Sequence, residues 1–164
     1  MLLSSGQRAL EDLIGKYKIL PEMEYDTFYK CFNTYVCPIL DYGAEVTGYS
    51  KNVKMENLQL KAIRVFLGIN KFATKLFLIG DMGWYPCKRR HKLILLRYWN
   101  HLIKMDNNRQ TKHIFYVDYD TLGFWCSKIY DILKEINSEH VLQNKEICNL
   151  QLCKEKLYAL YEDS

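Results

Sequence analysis

Apolar side chains recur every three or four residues along nearly all of this chain, and that spacing leaves little choice of secondary structure. Tyr25, Phe28, Tyr29, Phe32, Tyr35 and Val36 form one such run; Ala9, Leu10, Leu13, Ile14 and Tyr17 form another. Only 3 prolines and 8 glycines interrupt 164 residues, so forced breaks are few and long helices are expected. Strand signals are scarce, apart from a short extended segment suggested by "HIFYVDY" near residues 113–119. The expected fold is therefore all-α, an irregular bundle of about six to seven helices.

Helix ends can be read from capping chemistry. Ser4-Ser5 is the expected N-cap region of a first helix, which Pro21 ends or interrupts. A second, aromatic-rich helix follows over residues 24–42 and kinks or breaks near Pro38. Asn52 is the expected cap of a third, with Gly68 as its stop. Thr74 and Gly83 bound a short fourth. Pro86 suits the first turn of a fifth, reaching residue 105. A polar linker, "DNNRQTK", leads to helices around 122–136 and 141–161, the last amphipathic. This gives a helical pair over 1–50, a basic module over 51–105 and a linker with C-terminal helices over 106–164, within one compact domain. The stretch "YVCPILDYGAEVTG" stands out, because Pro38 and Gly43 sit five residues apart in otherwise core-like sequence.

Several classes of function are disfavoured. No apolar stretch approaches the length of a membrane span, and "MLLSSGQR" has neither the basic start nor the apolar run of a signal peptide. An intracellular, non-secreted protein is expected, with nucleus or cytoplasm left open. The 6 cysteines form no C-x-x-C pair and are expected as reduced thiols packed like small hydrophobes. Cys87 and His91 share a helix face, but two candidates do not make a four-ligand site. Asp118 and Asp120 flank Tyr119 without a third acid nearby. There is no glycine-rich phosphate loop, H-E-x-x-H or nucleophile elbow. No catalytic residue, metal or cofactor is expected.

The formal charge of +4 conceals a block. Residues 51–104 carry 12 basic side chains against Glu56 and Asp81, a net of +10, while each flank carries −3. Like charges held together gain from an external polyanion. At 100° per residue, Arg90, Arg97, His101 and Lys104 fall within about 60° of one another on the fifth helix. Lys54, Lys61 and Arg64 share a face of the third. Lys88, Arg89, Arg90 and Lys92 crowd the start of the fifth helix, where cations oppose the helix dipole unless an anion docks there. Trp84 and Tyr85 beside them are candidates for base stacking, with core packing the plainer reading of Trp84. Trp99 and Trp125 are assigned to the core.

"YDTFYKCFNTYVCPILDYGAEVTG", then "NLQLKAIRVFLG", then "GDMGWYP", then a basic helix ending in "WNHL" occur in that order. The series resembles the thumb and post-thumb region that follows the polymerase core in non-LTR (LINE-like, jockey-type) retrotransposon reverse transcriptases. The matching positions are Pro38, Leu40, Tyr42, Gly43, Ala44, Glu45 and Gly48; Gln59, Ala62, Arg64, Leu67 and Gly68; Gly80, Asp81, Gly83, Trp84 and Pro86; Trp99 and Leu102. Thr47 departs from the pattern, which has Trp there, implying a lost core aromatic. The resemblance covers residues 4–136. It implies a helical region that grips a template–primer duplex, without the palm and its paired catalytic aspartates; this sequence has no Asp-Asp pair. Pro38 and Gly43 would then bend a long thumb-type helix, and Glu45 would pair with a base of 51–104 or cap a buried backbone group.

The expectation is a non-catalytic fragment of the RNA-directed DNA polymerase family, with no membrane contact and an open oligomeric state. It would bind RNA or an RNA–DNA hybrid through backbone phosphates with little sequence specificity. Lys88, Arg89, Arg90, Lys92, Arg97, His101 and Lys104 lead, with Lys54, Lys61 and Arg64 second. Neutralising about six phosphates would make affinity fall by roughly three decades between 50 and 200 mM salt. The alternatives are a helical protein-interaction domain, in which the basic residues interleave with Glu135, Glu139, Glu146 and Glu155, and a decayed transposon reading frame.

Overall fold

The computed structural model describes residues 2–20, 22–50, 52–70 and 72–162, and all regular structure among them is helical. In chain order the elements are α1 (Leu2–Ile19), α2 (Tyr25–Cys31), a π-helical turn (Phe32–Val36), α3 (Cys37–Leu40), α4 (Ala44–Thr47), α5 (Val53–Leu67), α6 (Lys75–Met82), α7 (Cys87–Lys104), α8 (Gln110–Asp120), α9 (Phe124–Glu135), α10 (His140–Gln143) and α11 (Leu150–Glu162). They form two compact units, Met1–Tyr42 with Ser50–Lys88 and Gly43–Tyr49 with Arg89–Ser164. The chain passes between units at 42/43, 49/50 and 88/89, not at residue 105. Pro21, Lys51 and Lys71 lie outside the described residues, as do the side chains of Lys75 and Asp81.

Capping chemistry sets the ends of α5. The Asn52 carboxamide oxygen accepts the N–H of Met55 at 3.3 Å. Gly68, at φ 64°, donates to the Val65 carbonyl while Ile69 donates to that of Arg64, satisfying the last turn. Gly83, at φ 59°, closes α6 in the same conformation, and α7 begins directly after Pro86.

Other ends differ from expectation. Ser4 and Ser5 lie inside α1 because its packing face extends back to Leu3 and Gly6. A Cβ on Gly6 would stand 2.7 Å from a methyl carbon of Leu40, so α1 and α3 meet closely there. Residues 113–119 are helical, not extended. Their β-branched and aromatic residues favour strand, but Lys112, Phe115, Tyr116 and Tyr119 recur at helical spacing and share a packed face. The expected final helix divides into α10 and α11 at a turn where Lys145 has φ 54°.

Pro38 and Gly43 act separately. Immediately before Pro38 the helix widens, with the Cys37 N–H reaching back five residues to the Phe32 carbonyl. The wider turn makes room for a ring that would otherwise press on the preceding turn. Pro38 itself is exposed, while Phe32, Val36, Cys37 and Leu40 around it are buried. Gly43, at φ 73°, then ends the helix rather than bending it, and the second unit begins at that residue.

In the first unit α1 packs on the π-turn, α3 and α5, and α5 on α6. Its core holds Leu10, Leu13, Phe28, Phe32, Leu40, Ile63, Leu78 and Trp84. In the second unit the core is built on Leu95, Leu96, Trp99 and Leu102 of α7, with Phe115, Ile129, Leu133, Ile136 and Leu157.

Lys112 is 2% exposed and closes the C-terminus of α7, donating to the carbonyls of Leu102 at 2.6 Å and Ile103 at 2.9 Å. Its ammonium also lies over the Phe115 and Tyr116 rings. A cation here complements the dipole and supplies donors for orphan carbonyls. Lys112→Met keeps the stem and removes the charge, and should cost about 2 kcal/mol in urea unfolding.

Candidate nucleic-acid interface

The helical face that buries Leu95, Leu96, Trp99 and Leu102 turns Arg97, His101 and Lys104 outward, and all three are exposed. Among the described residues Arg97 and Lys104 form no ion pair. The His101 ring stacks on Tyr98 at 6.0 Å with an interplanar angle of 26°. Arg90, on the same expected arc, is half-buried.

The other expected contacts separate. Arg89 is 6% exposed, its guanidinium over the Tyr158 ring at 5.7 Å. Lys92 is 8% exposed and its ammonium pairs with the Glu135 carboxylate. Both belong to the packed interior of the second unit. The correction has a physical cause: at 100° per residue Lys92 and Arg89 lie within about 80° of Trp99, on the side of α7 that packs inward, where Glu135 of α9 and Tyr158 of α11 meet them. Lys88 is exposed and lies in the first unit, as do Lys54, Lys61 and Arg64. Lys54 is exposed. Lys61 pairs with Glu11 at 3.4 Å. The Gln7 amide, and then Lys61, hold the Glu11 carboxyl below its ordinary range. Arg64 is half-buried and donates to the Ala73 carbonyl at 3.5 Å.

Trp84 is no stacking platform. It is 2% exposed, its ring lies 4.5 Å from that of Phe32, and its indole N–H donates to the Tyr25 hydroxyl at 3.2 Å. Tyr25 in turn donates to the Met82 carbonyl, and burial pushes its phenol above the usual range. Tyr85 is exposed, and its carbonyl accepts from the Gln59 amide at 2.7 Å. Trp125, expected in the core, is only half-buried.

Two positions singled out by the resemblance serve differently from expectation. Glu45 acts through its backbone, its carbonyl accepting the Trp125 indole N–H at 3.1 Å. Thr47 is exposed, and its hydroxyl donates to the Gly43 carbonyl at 3.0 Å, so no core aromatic is missing at that position.

Cys37, Cys87, Cys126, Cys148 and Cys153 are buried free thiols and Cys31 is half-buried. A hydrogen bond from the Cys148 thiol lowers Cys153 to about 7, against the effect of burial, and Cys148 is pushed up correspondingly. Spacing could not have revealed this pair, which meets across the start of α11. Asp118 accepts the Cys126 N–H at 2.8 Å, bracing the first turn of α9. Among the described residues no group of three His, Cys, Asp or Glu side chains is placed to hold a metal ion, and no helix is long and apolar enough to cross a membrane.

Comparison of the chain with protein-family models, with curated proteins and with solved structures returned no match.

Proposed function

We propose that this chain is a non-catalytic, reverse-transcriptase-like helical module that binds RNA or an RNA–DNA hybrid through backbone phosphates. The reading is carried by the exposed arc of Arg97, His101 and Lys104, in which Arg97 and Lys104 have no acidic partner among the described residues. The ordered motif resemblance supports it, since a thumb-type region grips nucleic acid without performing chemistry. Arg89 and Lys92 are removed from the grip, so fewer phosphates are neutralised than the bare sequence implies.

For about two phosphates, those met by Arg97 and Lys104, affinity for a hybrid should fall roughly 12-fold between about 50 and about 200 mM salt. The Arg97→Gln, His101→Gln, Lys104→Gln triple variant should lose most of that dependence while its circular dichroism stays unchanged. A folded wild-type chain that fails to bind at the lower salt would refute the reading. The ion pair between Lys92 and Glu135 favours the second reading, a helical protein-interaction domain whose bases are satisfied internally. Equal hybrid binding by wild type and triple variant would support that one.

A further inference from the structure

Beside the cationic arc, on the same helix, a groove opens in the second unit. It has a volume of about 190 Å³ and is lined by Tyr98 and Leu102 of α7, Ile114 and Phe115 of α8, Trp125 of α9 and Val46 of α4. Leu102 and Phe115 are buried and form its floor; Val46 and Ile114 are exposed and form its rim, Ile114 being 71% exposed. The aromatic rings are held in place. Tyr98 meets Trp125 at 5.9 Å and 87°, Phe115 meets it at 6.4 Å and 79°, and the Trp125 indole is anchored on the Glu45 carbonyl. Asp118 also lines the groove, but its carboxylate is engaged at the N-terminal turn of α9, where the helix dipole offsets its charge.

We infer that this groove seats an unpaired base of the strand whose phosphates meet Arg97, His101 and Lys104. Rings aligned beside a cationic stripe are the arrangement by which single strands are held, since every base has a face to stack and every nucleotide a phosphate to neutralise. Tyr98 joins the two features: it lines the groove and stacks on His101. The charge complementarity favours a nucleic-acid strand over an uncharged apolar ligand. The inference rests on the phosphate-binding reading and adds to it a preference for single-stranded over fully paired ligand. Its stacking faces are offered alike to every base, so the seat does not depend on which base enters.

The test compares a short uridine oligoribonucleotide with an abasic phosphodiester of the same length and charge, both binding to the full chain. The uridine oligomer should bind about tenfold more tightly. Its binding should quench tryptophan emission in the wild type but not in Trp125→Phe. Ile114→Ser should remove much of the difference between the oligomers and leave abasic binding unchanged. Loss of both affinities in the Arg97→Gln, Lys104→Gln variant would tie the seat to the phosphate grip. Equal affinity for the two oligomers would overturn the base seat while leaving the grip intact. If the groove instead took up an acidic amphipathic peptide, and Ile114→Ser weakened that binding, it would belong to a protein helix. Failure of both oligomers to bind at low salt would overturn grip and seat together.

Discussion

Trp84→Ala should destabilise the first unit by about 3–5 kcal/mol, the cost of deleting a large aromatic from a packed site. The ring lies within 6.4 Å of Phe28, 5.5 Å of Tyr29 and 4.5 Å of Phe32, and its removal leaves a cavity against the face shared by α2 and the π-turn. It also strips the Tyr25 hydroxyl of a buried donor. Trp84→Phe keeps an aromatic ring but loses that hydrogen bond and part of the buried indole, so it should cost about 1–3 kcal/mol. Urea unfolding would give both values. Hybrid affinity per folded molecule should stay at the wild-type level in Trp84→Phe. A marked loss of affinity at unchanged stability would restore the stacking role that burial denies this residue.

Asn100→Ala is expected to cost about 3 kcal/mol in the second unit. Asn100 is buried and grips one residue of the α10–α11 connection from both sides. Its amide donates to the Cys148 carbonyl at 2.8 Å, and its oxygen accepts the Cys148 N–H at 2.7 Å. Alanine would orphan a backbone donor and an acceptor at once, each worth about 1–3 kcal/mol when buried. One turn position away, the Trp99 indole donates to the Glu146 carbonyl at 2.9 Å, so α7 holds this loop at two adjacent points. The loop seats α11 through Cys153 and Leu157. Amide exchange should therefore accelerate at Cys148 and through α11 before the rest of the unit opens. Asn100→Asp keeps the acceptor but turns a second carboxylate oxygen toward the Cys148 carbonyl, and should not rescue stability. Wild-type exchange along α11 in Asn100→Ala would show that the clamp is not what docks it.

The docking of α11 illustrates where sequence reasoning stops. The amphipathic spacing of residues 150–160 indicates a helix, but nothing local indicates that Asn100 binds the loop before it, 48 residues away. The basic residues of α7 divide for the same reason. A helical projection puts Lys92 and Arg89 within about 80° of Trp99, but it does not name the distant partners that meet them. Lys92 meets Glu135 at a separation of 43 residues, and Arg89 meets Tyr158 on α11. Arg97, His101 and Lys104 stay outside because they lie on the opposite arc from Trp99. The groove beside them joins side chains from four helices, so no stretch of sequence carries it. The exposure of Ile114 and the burial of Lys112, two residues apart on α8, reverse what residue type alone suggests.

Local chemistry decided the helical class, because the repeat of apolar residues and the shortage of proline and glycine act within a few turns. It also decided the ends at Asn52, Gly68 and Gly83, where a side-chain acceptor or a left-handed glycine satisfies the backbone groups next to it. Pro38 was legible as a disturbance but not as a π-turn, since the ring's demand for space can be met by several distortions and packing selected one. Gly43 as a stop, Thr47 as surface and the partners that hold Arg89 and Lys92 were decided only by tertiary structure. Each depends on which distant surface covers the residue, and burial is a property of the pair of surfaces rather than of either segment alone.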